Sequence, residues 1–128
     1  MNGYIALVSI LIISAIIMTI AISAGLLSIS EADMGLEKNL ASEAYYLASA
    51  CAEEGLQQIR DSASFKGSGN LFFSNGSCNY NVTAQGPNKR TINSSGLSVD
   101  IIRKIVVTLD LINPSINIVS WTETADFY

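Results

Sequence analysis

The stretch that decides the fold is Tyr4–Ser30, YIALVSILIISAIIMTIAISAGLLSIS. It carries no charged residue, and beyond Tyr4 its polar side chains are only serines and one threonine, including Ser9, Ser14, Thr19, Ser23 and Ser28. Such hydroxyls can bond back to carbonyls of the preceding helical turn, so they do not oppose an apolar environment. As an α-helix the stretch spans about 40 Å, enough to cross a hydrocarbon layer roughly 30 Å thick. A cleavable secretory signal is the competing reading, with Ala21-Ile22-Ser23 as its small-residue site. Such a signal wants a basic n-region and a shorter apolar run, and Met1-Asn2-Gly3 has no charge. A membrane-spanning helix fits better.

Outward from this block the chemistry changes. The 128 residues hold eleven acidic and seven basic side chains, a net charge of −4, and every one of them lies in 31–128. Histidine is absent and cysteine occurs twice, so a Cys/His zinc site, a histidine triad and a histidine general base are all excluded. No metal or cofactor is expected. Net acidity argues against a nucleic-acid partner. A filamentous, anchored or binding protein is expected rather than an enzyme. The positive-inside rule gives no orientation from the uncharged N-terminal side. Glu31 and Asp33 follow the span directly, and a possible disulfide favours an oxidising, extracytoplasmic location for the polar part.

After Ser30 the helix is expected to continue. Leu36, Leu40, Ala44, Leu47, Cys51, Gly55 and Ile59 recur at spacings of three and four, one face of an α-helix. Residues 31–61 hold seven acids and two bases, much of that charge off the stripe. With no proline between the halves, the spacing predicts one helix from about Tyr4 to about Arg60, roughly 85 Å long. Its first half is apolar all round and its second amphipathic. Gly25 is its weak point.

Residues 62–70 read as a Ser/Gly-rich loop, and then the period becomes two. Leu71–Ser74 and Ser77–Ala84 flank Asn75-Gly76, a type I′ hairpin signal. Cys78, Tyr80, Val82 and Ala84 share one side of the second strand. Gln85–Asn88 is a turn, Lys89–Ser94 a short strand, and Gly96 a break. A long strand is predicted over about Leu97–Ile112, with Leu97, Val99, Ile101, Ile105, Val107, Leu109 and Leu111 inward and Arg103 interrupting. Asn113-Pro114 turns the chain into a last strand, Ser115–Trp121, and 122–128 is left undetermined. The expected class is α+β: a long helix whose amphipathic half packs on an antiparallel sheet of about four strands over 71–121. Cys51 on the helix stripe and Cys78 on the inner side of its strand predict a disulfide between helix and sheet.

Gly3 followed directly by the aromatic-led, uncharged helix Tyr4-Ile5-Ala6-Leu7-Val8 resembles the class III signal of type IV pilins and pseudopilins. A helix running into a small one-sheet head with a cysteine pair is similar to the pilin fold. The resemblance implies a leader remnant at 1–3, cleavage between Gly3 and Tyr4 by a prepilin peptidase, methylation of the new amino terminus, and a filament-core helix at 4–30. Gly25 falls about where pilins often carry a helix-breaking residue. Two departures stand out. Met1-Asn2 lacks the usual basic leader residues, and Val8 occupies the fifth mature position, where most pilins have a Glu. That Glu would pair with a neighbour's buried amine, offsetting a lone charge in an apolar core. A subunit without it resembles either the minor pilins of filament tips or a divergent lineage that dispenses with the pair.

Other features have ordinary readings. Glu53-Glu54 diverge by about 100° on a helix and read as a solvated face. Lys89-Arg90 and Arg103-Lys104 read as surface charge. Asn75, Asn81 and Asn93 open N-glycosylation triplets, matches expected by chance in a chain this rich in Asn, Ser and Thr. Tyr45-Tyr46 serve either subunit contact or head packing. The expected function is a structural subunit of a type IV pilus or type II secretion pseudopilus. It would wait in the cytoplasmic membrane with an extracytoplasmic head, then enter a filament with other subunits through the assembly machinery, in the periplasm or at the cell surface. The alternative is a single-pass anchored binding module that never polymerises.

Overall fold

A computed structural model describes residues 2–127; Met1 of the expected leader and Tyr128 of the tail lie outside the described residues. One α-helix, α1 (Asn2–Asp61), is followed by β1 (Gly67–Phe73), β2 (Gly76–Ala84), β3 (Arg90–Ser98), β4 (Ile101–Leu111) and β5 (Asn117–Thr124). The strands form one antiparallel sheet in chain order, a five-stranded meander. The chain divides into two units at Glu37/Lys38. The first is helical and apolar. The second is the head, in which residues 44–59 of α1 pack on the sheet.

Within the head α1 contributes mainly small residues to the interface. Ala44, Ala48, Cys51, Ala52 and Gly55 are buried there, with Leu47, Leu56 and Ile59. The bulk comes from the sheet, where Val82, Ile92, Ile105, Val107 and Leu109 are fully enclosed. Each such side chain stabilises the fold by about 1.5–3 kcal/mol through burial. The predicted stripe holds from Ala44 to Ile59, with Leu40 half-buried. Leu36 departs from it: the residue belongs to the first unit and is exposed.

Several strand boundaries differ from expectation. Five strands form rather than about four, and they cover Gly67–Thr124 rather than 71–121. The predicted loop 62–70 ends early, since Gly67-Ser-Gly-Asn pairs regularly with β2 despite having no apolar alternation. The Tyr80 ring lies across Gly69, where a Cβ would come within 2.5 Å of the phenol oxygen. The first hairpin turns at Ser74-Asn75, one residue earlier than predicted, with Phe73 paired to Gly76. Neither turn residue has positive φ, so the turn is not type I′. Gly76 instead opens β2, where any side chain would collide with the Leu97 carbonyl and Leu47.

Gly96 is not a break. It lies within β3, paired with Arg103, and the chain reverses later, at Val99-Asp100. Leu97 consequently points away from the core, and Val99 sits exposed in the turn with φ of 57°. Both leave the predicted inner face of β4, whereas Ile105, Val107 and Leu109 occupy it. Of the tail, Thr122–Thr124 complete β5.

Candidate functional site

The first unit presents apolar side chains on every side. Ile5, Leu7, Ile10, Leu11, Ile16 and Leu26 are among those more than half exposed. The polar residues between them are satisfied internally. The hydroxyls of Ser9, Ser14, Thr19 and Ser23 donate to carbonyls three or four residues earlier, at 2.7–2.9 Å. A helix apolar all round, with its few hydroxyls turned onto its own backbone, is suited to lipid or to close packing against like helices. Gly3 and Tyr4 lie in its first turn; Tyr4 is 75% exposed and a Cβ at Gly3 would meet nothing within 4 Å. Val8 is half-buried, among the apolar side chains of its own helix. Gly25 is helical, with open space beside it and no interruption of α1.

In the head, the feature that fixes α1 to the sheet is the Cys51–Cys78 disulfide, with Cα atoms 5.9 Å apart. Its placement follows from a glycine. Cys78 pairs across the sheet with Gly96, and at Gly96 the backbone of α1 comes so close that a Cβ would collide with the Ala44 carbonyl and the Ala48 amide. One turn further along α1, this approach sets Cys51 over Cys78. Beside it the buried Ser94 hydroxyl donates to the Ala48 carbonyl.

Two further anchors were not evident from the sequence. Glu43, which the sequence singles out for no role, accepts hydrogen bonds from the Asn75 amide and, at 2.8 Å, from the Ser98 hydroxyl. One carboxylate therefore holds the ends of two hairpins against α1. Arg90, read as half of a basic surface pair, is buried; its guanidinium donates to the carbonyls of Gly86, Lys89 and Ala63 at 2.8–3.0 Å. It ties the β2–β3 turn to the segment following α1. Arg103 and Lys104 are also engaged, with Glu123 and Asp126 respectively, each at 2.8 Å. The Lys104 ammonium holds the Asp126 carboxyl below its ordinary value, helped by the Phe127 amide. Tyr45 packs on the edge of the core, whereas Tyr46 is 70% exposed and meets it edge to face.

Among the described residues no group of three or more His, Cys, Asp or Glu is gathered for a metal ion. Glu53 faces solvent, and Glu54 accepts a hydrogen bond from Gln58. The one head group clearly perturbed by enclosure is Tyr80. Burial raises its phenol above the ordinary value, and the Glu54 carboxylate adds to the shift. A folded state that favours the neutral phenol keeps this contribution below the unfolded pKa of about 10 and loses it as pH rises through the raised value. The Tyr80 contribution to head stability is therefore expected to be constant below about pH 10 and to fall above it. The Tyr80→Phe variant should lack that alkaline component in a stability–pH series; an identical series for the two proteins would exclude it.

No family model matches the chain, and comparisons with curated proteins and with solved structures return no match.

Proposed function

We propose that this chain is a structural subunit of a type IV pilus or type II secretion pseudopilus, held in the membrane by residues 4–30 until assembly. The observation that carries the reading is the pairing of two features: an uncharged helix with apolar side chains exposed on all sides, and a head built on the continuation of that same helix and stapled to it through Cys51 and Cys78. In the filament the apolar surface would be buried among neighbouring helices instead of lipid, and the driving term is packing rather than catalysis. The second reading, a single-pass anchor that displays the head without polymerising, uses the same helix but needs no processing at Gly3.

Processing separates the two. Intact-mass measurement on protein from native membranes is expected to find a chain beginning at Tyr4 with a methylated amine. Gly3→Phe should leave the precursor uncut and keep it out of filaments. Because a side chain at Gly3 meets nothing within 4 Å, the substitution reports on the peptidase and not on the fold. A wild-type population retaining Met1 would favour the anchor.

A further inference from the structure

One face of the sheet packs on α1; on the other, Asp126 and Phe127 meet Lys104 while the strands before β4 carry no covering element, and its composition is unusual. Asn70 is the cross-strand partner of Asn79, and Asn81 that of Asn93, so four amides form a contiguous cluster over β1, β2 and β3. Three are exposed and Asn93 is half-buried. Asparagine is depleted in strands, and four in strand interiors weaken the sheet they occupy. The fold gains nothing evident in return, since none of these amides makes a side-chain hydrogen bond among the described residues. Local rules broken without structural gain are characteristic of functional surfaces.

The surroundings define the ligand chemistry. Ser68 and Ser95 flank the cluster in the same cross-strand rows, and no carboxylate belongs to those rows. The nearest ionisable group on this face, Lys104, is paired with Asp126. On the same face of β1, two residues beyond Asn70, Phe72 is 82% exposed. Each amide offers two donors and a two-lone-pair acceptor, a set that matches adjacent hydroxyls and needs no charge. An exposed aromatic ring beside it offers a platform for the apolar face of a sugar.

We propose that this face, centred on Asn70, Asn79, Asn81 and Asn93 with Phe72 at its margin, binds neutral polysaccharide. Single-site binding is weak, because each hydrogen bond replaces one to water. Repetition of the face on many subunits would raise the avidity, but the site itself does not depend on polymerisation.

The test uses the full chain dispersed in a polyoxyethylene detergent, which carries no sugar headgroup, in sedimentation with cellulose, chitin and mannan particles. Retention on at least one matrix is expected, reduced about tenfold by Phe72→Ala and by the double substitution Asn79→Thr, Asn81→Thr. Threonine is a better strand former, so the double variant should melt no lower than wild type while losing retention. That combination separates a binding role from a structural one. Failure of all three matrices to retain the chain, or retention that both variants leave intact, would overturn the proposal. So would lower melting of the threonine variant, or a concentration-dependent dimer that the same substitutions dissolve, which would assign the face to a second copy. As the readout is taken on dispersed chains, it stands or falls separately from filament formation.

Discussion

Replacing Cys51 or Cys78 with serine is expected to destabilise the head by about 3.5 kcal/mol in the chain-entropy account of a loop this long. For a unit of this size that corresponds to a fall in melting temperature of roughly 15–25 °C. The core is one helix face on one sheet, with Ile59, Ile92, Ile105 and Leu109 its largest enclosed side chains, and has little reserve to absorb the loss. Far-UV signal is a poor probe, because the apolar half of α1 stays helical in detergent. Trp121, the only tryptophan, packs against the core and reports on the head alone. Its emission should show the shift, and denatured wild-type protein from its native compartment should show no free thiol. An unchanged Trp121 transition in either serine variant would mean that the bond contributes little.

Gly96→Val is expected to be comparably damaging, by about 3 kcal/mol, through overpacking. The obstacle is the backbone of α1 at Ala44 and Ala48, which cannot rotate aside as a side chain can. Accommodation requires lifting the helix, which breaks the Ser94–Ala48 hydrogen bond and moves Cys51 away from Cys78. Gly96→Val should therefore both lower the Trp121 transition and leave a fraction of the thiols unpaired. Gly35→Ala is the control, an exposed helical position of the first unit with nothing within 4 Å, and should leave the Trp121 transition where it is. A fully oxidised, normally stable Gly96→Val protein would show that the helix leaves room for a side chain between Ala44 and β3.

The contrast between these glycines shows what was legible in the chain. The helix was readable because Ala44–Ile59 repeat at helical spacing, and the inner faces of β2 and β4 because Cys78–Val82 and Ile105–Leu109 alternate. Those two periodicities sufficed to bring Cys51 and Cys78 together. Illegible were features set by long-range contact. Gly96 looks like a strand end until a helix backbone is laid across it, and Gly76 looks like a turn residue until Leu47 and the Leu97 carbonyl claim the space. Gly67–Asn70 pairs through backbone groups that leave no mark on apolar pattern. The roles of Glu43 and Arg90 are not legible because their partners, Ser98 and Asn75 in one case and Ala63 and Gly86 in the other, are remote in sequence or carry only carbonyls. Within 4–30 the side chains are apolar all round, so periodicity assigns no inward face there.

The disulfide also sets how the head would carry tension. A pull on α1 upstream of the head, resisted at the sheet, loads the helix in shear along β3. The Glu43 clamp and the Ser94–Ala48 bond yield first, being non-covalent. Peeling then stops at Cys51, where the load crosses to Cys78 and enters the sheet at β2, beside the edge strand β1. The segment 52–77, with the end of α1 and all of β1, lies off that line of force and stays folded while the strained path lengthens only by the turns before Cys51. Under oxidising conditions the head thus has a short, fixed extension limit, and under reduction it has none.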